Sequence, residues 1–159
     1  MSTAFFGVIE VTGRTSWATS EATRRTMLAN RGRDTAPEIA LRSALHRAGA
    51  RFRVDWPLPG MPRRRADVAF PRRRVAVFVD GCFWHGCPKH HVAPRANAGF
   101  WAEKVASNRR RDAETDRRLR ALGWRVVRTW EHEDPERAAR RVLRGLSGRL
   151  DRMDPRNCF

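Results

Sequence analysis

The sequence predicts a single α/β domain in which a mixed central β-sheet is flanked by helices. Short apolar runs bounded by turn residues, such as Val75–Val79, are typical of buried strands. Longer segments with apolar residues at helical spacing alternate with these runs, in the order helix, strand, strand, strand, helix, strand, helix. A chain of 159 residues that is 41% hydrophobic is long enough to bury one core. We find no repeat and no sign of a second domain.

The first 20 residues have a mixed composition without a sustained period, which predicts a flexible arm that orders only on a partner. The spacing within 21–30 permits a short helix. The first clear helix begins near Asp34 or Thr35, either of which can cap it, with Pro37 in its first turn and Glu38 at its positive end. Apolar residues including Ile39 then recur at helical spacing until Gly49.

Three strands are expected next. Phe52, Val54 and Trp56 alternate with polar residues and predict a strand before the turn at 57–60. The run 66–70 predicts a second strand, which contains Asp67. A tight turn through three arginines leads to the buried strand at 75–79.

The second half of the chain begins with a loop at 94–98. A long helix is predicted from Phe100 to Gly123, with Trp101 and Leu122 in its apolar stripe. A strand follows over 124–130, and an amphipathic helix opens at Pro135 and covers one face of the sheet. We place the domain over 21–150 and a tail over 151–159.

The charge predicts a polyanionic partner. The 33 Lys and Arg residues exceed the 17 acidic residues and give a net charge of +16. Only Lys89 and Lys104 are lysines, so 33 − 2 leaves 31 arginines, whose planar forks bind phosphate oxygens. Compositional bias explains the ratio of Arg to Lys, but it does not explain the surplus over acidic residues. Nucleic acid is therefore the simplest expected partner.

Several cysteine and histidine residues follow the strand at 75–79 within a short segment. Cys82, Cys87 and His90 are three candidate metal ligands close in sequence. A structural zinc site needs a fourth ligand. His91 is an alternative to His90, and two buried free thiols are the plainer interpretation; Cys158 lies in the tail. The sequence carries neither a secretion signal nor a segment long enough for a membrane span, so we expect a cytoplasmic, nucleoid-associated protein with no membrane partner.

Several motifs together resemble the very short patch repair (Vsr) DNA mismatch endonucleases. The likeness runs from about Glu21 to Glu133. Its motifs are Thr26-Met27, DTAPE at 34–38, FRV at 52–54, LPG at 58–60, FVDGCFWHGCP at 78–88, FWAEK at 100–104, 108–112, and GWRV through WE at 123–131. The resemblance implies a core like that of the type II restriction endonucleases (PD-(D/E)XK type). It also implies Mg²⁺-dependent nicking of the thymine strand beside a T·G mismatch, which arises when 5-methylcytosine deaminates.

The resemblance also implies catalytic roles. Asp67 matches the direct Mg²⁺ ligand, with the backbone carbonyl of Val79 beside it, and a hard cation held by few carboxylates suits phosphodiester hydrolysis. Glu38 and Asp112 match acidic residues that act through metal-bound water, and His85 matches a residue that assists proton transfer. The plainer interpretations are a turn hydrogen bond for Asp67, a helix-start charge for Glu38 and a solvated face for Asp112.

The resemblance also implies zinc ligands and DNA contacts. Relatives usually have cysteine where this chain has His132, so the implied zinc set is Cys82, Cys87, His90 and His132. Phe83 and Trp84 match residues that wedge into the base stack, with Met27 entering from the other groove; packing of Trp84 beneath the zinc loop is the alternative. Arg24 and Arg25 are candidates for phosphate contacts.

Besides His132, the chain departs from the family at two further places. Three arginines, Arg63–Arg65, lengthen the approach to Asp67, and Asp80 stands where some relatives have histidine. The overall expectation is a monomeric enzyme acting on mismatched duplex DNA, with a mismatch-repair protein or DNA methyltransferase as a possible partner. The alternatives are a restriction-type or less selective nicking enzyme and a zinc-stapled DNA-binding module without catalysis.

Overall fold

The computed structural model describes residues 33–92 and 97–147, and it confirms an α/β fold with a mixed sheet. The arm at 1–20, the short helix within 21–30, the tail and the residues Arg24, Arg25, Met27 and Cys158 lie outside the described residues. The elements are α1 (Ala36–Arg47), β1 (Arg53–Leu58), β2 (Met61–Phe70), a 3₁₀ turn (Pro71–Arg73), β3 (Val75–Asp80), α2 (Ala98–Ala121), β4 (Arg125–Trp130) and α3 (Pro135–Ser147).

The described strands form one sheet in the order β1-β2-β3-β4. β1 pairs with β2 and β2 with β3 in antiparallel fashion, whereas β3 and β4 are parallel and are joined by the crossover helix α2. Parallel strands end at the same edge of a sheet, and here Asp80 lies beside Trp130. The loops that follow β3 and β4 therefore leave the sheet side by side.

Helices cover both faces of the sheet. On one face Leu45 of α1 and Val142 of α3 pack against Val68 and Val77. On the other face Leu119 of α2 packs in a cluster with side chains of the sheet that include Ala69, Ala76 and Phe78. Because side chains alternate along a strand, Val79 packs against the first face and Asp80 projects from the second.

Two elements, β2 and α2, begin earlier in the structure than the sequence predicts. β2 begins at Met61 instead of near 66, because Met61 pairs with Leu58 across the turn at Gly60, whose φ is +69°. The run of arginines before Asp67 is therefore strand. α2 begins at Ala98, two residues before Phe100.

Two large apolar residues that we expected on buried helix stripes are exposed. Ile39 is 50% exposed and Leu122 is 48% exposed. Leu122 follows the last residue of α2, where the chain turns at Gly123 towards β4, so the core-facing stripe of this helix ends at Leu119. None of the helices in the described part of the chain combines the length and apolarity that a membrane span requires.

Candidate active site

A polar pocket of about 330 Å³ opens at the edge of the sheet where β3 ends. Different elements supply its acidic residues: Glu38 from α1, Asp67 from β2, Asp80 from β3 and Asp112 from α2, with His85 from the loop after β3. The four predicted catalytic side chains thus line one pocket. They are distant in sequence, since Asp112 follows Glu38 by 112 − 38 = 74 positions. Asp80, the departure from the family, joins them.

Asp67 is held by the neighbouring strand. Its Oδ2 accepts a hydrogen bond from the backbone N–H of Val79 at 2.7 Å. Burial raises the pKa of Asp67 to about 6; the Val79 hydrogen bond opposes that rise, and the charges of Glu38 and Asp80 add to it. The negative charge of Asp67 is therefore poorly compensated by the protein, as expected of a carboxylate that binds a cation.

Glu38 is buried in the first turn of α1. Its Oε2 accepts the N–H of Asp34 at 2.9 Å, and its Oε1 accepts the hydroxyl of Thr35 at 2.8 Å. Arg42, one turn later, lies 3.6 Å from Oε2. Glu38 consequently stabilises the helix start, which is the plainer interpretation, and at the same time presents its carboxylate to the pocket.

His85 and Asp112 form a close pair. The Nδ1 of His85 lies 2.6 Å from Oδ2 of Asp112 and 3.8 Å from Oδ1 of Asp80. Burial alone raises the pKa of Asp112, but the hydrogen bond with His85 and the charge of Arg128 outweigh it and keep that pKa below its usual range. Asp112 is therefore paired, and this contact fixes the orientation of the His85 ring.

Arg128 on β4 is the site residue that sequence reasoning missed. Its guanidinium lies 2.6 Å from Asp80, 3.1 Å from Asp116 and 3.4 Å from Asp112. It also lies over the ring of Phe78, 4.7 Å from the centroid. No local signal marked Arg128, because β4 also contains Arg125 and the chain has many other arginines.

The four residues of the predicted zinc set come together beside this pocket. The Sγ of Cys82 lies 3.0 Å from Nδ1 of His132, and the Sγ of Cys87 lies 3.9 Å from Nδ1 of His90 and 3.8 Å from Nδ1 of His132. All four donor atoms lie within 4.8 Å of one another. A tetrahedral zinc with ordinary bond lengths separates S and N ligands by about 3.5 Å, so this set fits such an ion.

The neighbouring residues decide which histidine belongs to the cluster. The ring of His91 lies 6.0 Å from that of Phe83, and His91 is absent from the cluster, so His90 is the nearer ligand. Burial raises the pKa of the Cys87 thiol, yet backbone N–H groups of Lys89 and His90 outweigh burial and lower it, which favours a thiolate.

Two hydrogen bonds and a close packing contact hold the loop that carries His85. The N–H of Cys82 donates to Glu131 at 2.7 Å, and the side-chain amide of Asn108 donates to the carbonyl of Trp84 at 2.8 Å. Gly86 adopts a φ of +63°, and a Cβ there would lie 2.8 Å from Val105 of α2. The end of β4 and the side of α2 therefore fix this loop.

Phe83 and Trp84 belong to an aromatic cluster with Trp101 of α2. The ring centroids of Phe83 lie 5.2 Å from Trp84 and 5.1 Å from Trp101, and the rings meet edge to face. Trp101 is buried, whereas Phe83 and Trp84 are half-buried. Sequence analysis assigned Trp101 to the helix core alone; the adjacent Phe100 and Trp101 were the signal of a larger aromatic surface.

Comparison with known proteins identifies relatives of this chain. The model of the family described as DNA mismatch endonuclease Vsr matches residues 17–92. The type II nicking enzyme V.NaeI of Lentzea aerocolonigenes is 45% identical over 122 residues, which cover 75% of this chain and 73% of the relative. The type II nicking enzyme V.XorIIP of Xanthomonas oryzae pv. oryzae is 42% identical over 116 residues, 71% of this chain and 82% of the relative.

The DNA mismatch endonuclease Vsr of Escherichia coli is 42% identical over 117 residues, which are 70% of each chain. The family match at 17–92 spans α1, β2, β3 and the Cys/His loop, which supply Glu38, Asp67, Asp80 and His85 to the pocket. Sequence, pocket and relatives therefore agree that this chain belongs to the Vsr DNA mismatch endonuclease family.

Proposed function

We propose that this protein is a Mg²⁺-dependent endonuclease that nicks duplex DNA on the thymine strand beside a T·G mismatch. The main support is the gathering of Glu38, Asp67 and the His85–Asp112 pair in one open pocket. The mixed sheet with an acidic residue on each of two adjacent strands also supports the restriction-endonuclease-like core. Family membership supplies the substrate class.

The donor set suits a hard divalent cation. Asp67 and the carbonyl of Val79 would hold Mg²⁺, and a cation there would favour the ionised form of Asp67, whose burial raises its pKa to about 6. Bound Mg²⁺ would supply an activated water and stabilise charge on the leaving oxygen. Glu38 would orient metal-bound water from its fixed place at the start of α1.

His85 would transfer a proton through its Nε2, because Asp112 holds the Nδ1 of the same ring. Asp112 and Arg128 act as positioning residues in this scheme. Asp112 sets the ring orientation, and Arg128 joins Asp80 and Asp112 in one ion-pair network.

Zinc in the set Cys82, Cys87, His90 and His132 would be structural, since four protein ligands leave no open position. The bound ion would tie the loop carrying His85 to the chain segment after β4. This arrangement explains how a cluster without a catalytic position would still support catalysis.

DNA binding would use cations and aromatic rings near the pocket. Arg64 pairs with Glu114, and Arg65 pairs with Asp55. Arg63 lines the pocket, and no ion pair joins it to another residue in the described ranges, so it is suited to contact a substrate phosphate. Met27, Phe83 and Trp84 would probe the base stack, and Arg24 and Arg25 would contact phosphates. A monomer is expected to suffice for nicking.

A less selective, sequence-directed nicking activity is the second candidate. Five relatives, including V.NaeI and V.XorIIP, are described as type II nicking enzymes, which favours this alternative. The pocket residues serve either activity, so the difference lies in recognition of the mismatch.

The test is nicking of a strand-labelled duplex with one T·G pair against the same duplex with T·A, with and without Mg²⁺. We expect wild type to cut only the thymine strand of the mismatched duplex. Asp67→Asn should lose at least about 10³-fold in rate, whereas Glu103→Gln, which removes an exposed carboxylate paired with Arg110, should cut normally. Equal cutting of both duplexes would establish the second candidate, and binding without nicking would refute both.

A further inference from the structure

A second groove, of about 800 Å³, lies away from the acidic pocket. Its aromatic walls include Phe52 and Phe70, whose rings meet edge to face with centroids 6.1 Å apart, and Trp56. Arginines line it from two separate segments, namely Arg51 and Arg53 at the start of β1 and Arg72 and Arg73 in the turn between β2 and β3.

The charge of this groove is uncompensated. Its four arginines are exposed, and no carboxylate is among the residues that line it. Within residues 33–92 and 97–147 none of the four forms an ion pair, whereas the nearby Arg47 and Arg65 pair with Glu136 and Asp55. Four guanidinium groups are therefore concentrated around one concave surface.

The groove and the acidic pocket lie at opposite ends of the same elements. β3 begins at Val75, just after the groove arginines, and ends at Asp80 in the pocket, so five residue steps of about 3.3 Å separate them by about 17 Å. In the same way α1 begins beside Glu38 and ends beside His46, a groove residue. Along β3, the groove arginines therefore lie about one strand length from the acidic pocket.

We propose that this groove binds the phosphate backbone of DNA away from the nick. Guanidinium forks match phosphate oxygens two at a time, and the aromatic wall can contact the sugars between them. Nucleic acid suits the groove better than an acidic peptide, because its charges recur at fixed spacing and the groove offers cations on two sides. The second contact would hold the protein on DNA while the mismatch is searched.

The first test removes three of these charges and compares an equal removal elsewhere. The groove variant is Arg51→Gln, Arg53→Gln, Arg72→Gln. The control variant is Arg137→Gln, Arg140→Gln, Arg144→Gln, all exposed on α3 and outside both cavities. Both are placed in full-length protein, and thermal unfolding confirms that both fold like wild type.

Equilibrium binding to a fully matched duplex of about 40 base pairs is then measured by fluorescence anisotropy, without Mg²⁺, over a series of salt concentrations. Each lost phosphate contact lowers the slope of log K against log salt by about 0.9, so the groove variant should lose about 2 to 3 from that slope. At 0.15 M salt its affinity should fall about tenfold or more. Equal losses in the two variants, or none in the groove variant, would overturn the proposal.

The second test distinguishes the ligand classes. Phenylglyoxal modification followed by mass spectrometry should show Arg51, Arg53 and Arg72 protected by DNA, and not by inorganic phosphate at the same phosphate concentration. Protection by polyglutamate but not by DNA would assign the groove to an acidic protein partner and overturn the proposal. Neither test depends on cleavage, so an absence of nicking would refute the proposed function without touching this result.

Discussion

Replacing Asp67 by asparagine should abolish nicking and at the same time stabilise the metal-free protein. A folded-state pKa of about 6 against an ordinary value of 3.8 means that the fold disfavours the ionised carboxylate. Because each tenfold change in the ionisation constant corresponds to about 1.4 kcal/mol, this difference amounts to about 3 kcal/mol. Asparagine carries no charge but can still accept the hydrogen bond from Val79.

The sign of the pH dependence follows from the raised pKa. Well below pH 4 the carboxyl is protonated in both the folded and the unfolded state, so the ionisation cost is absent. The cost grows between about pH 4 and 6 and is complete above pH 6. The stability gain of Asp67→Asn should therefore be about 1 to 3 kcal/mol at pH 7.5 and should fall to about 0.5 kcal/mol or less near pH 4.

Urea denaturation of both proteins at the two pH values measures this gain. Buffers should contain neither Mg²⁺ nor a chelator, so that the Cys/His cluster keeps whatever ion it holds. Adding Mg²⁺ at pH 7.5 should stabilise wild type and leave the variant unchanged, since the variant lacks the ionised ligand. A variant that is no more stable at pH 7.5, or a gain that is as large at pH 4 as at pH 7.5, would refute the reasoning.

Three further predictions concern the loop and its supports. Gly86→Ala should lower the unfolding free energy by about 2 kcal/mol or more, and Gly60→Ala by only about 1 kcal/mol. Both glycines have positive φ, but only a Cβ at Gly86 would lie 2.8 Å from the side chain of Val105. Equal losses of stability in urea would contradict this. His132→Cys should retain one equivalent of bound zinc by elemental analysis and His132→Ala should not. Arg128→Met should cost about 2 to 4 kcal/mol in urea, and adding Asp80→Asn should recover part of this loss, whereas additive losses would show the two residues to be uncoupled.

The parts of the fold that follow from local pattern could be predicted from the sequence. The buried strand at 75–79 and the helix start near Thr35 were visible, because alternation, capping residues and turn residues act over a few positions. The pocket side chains Asp67 and His85 were found through their motifs, and the structure brings both to one pocket.

The contacts between distant segments could not be predicted in this way. Arg64 pairs with Glu114 across 50 residues, and Arg128 reaches Asp80 across 48. Neither pair has a local periodicity, and in a chain with so many arginines no single one stands out. The early start of β2 was missed for a related reason, since only pairing with β1 makes the arginine run a strand.

The crossover from β3 to β4 has a consequence for folding kinetics. Cys87 and His132 are 45 residues apart, and α2 and β4 lie between them. Parallel pairing of strands requires this whole loop to close first, at a cost in chain entropy that no local contact offsets. An ion bound by the cysteines would also bind His132 and so cross-link the two ends of the closed loop. Removal of the ion should accelerate unfolding, because this cross-link restrains the end of β4 after the crossover has formed.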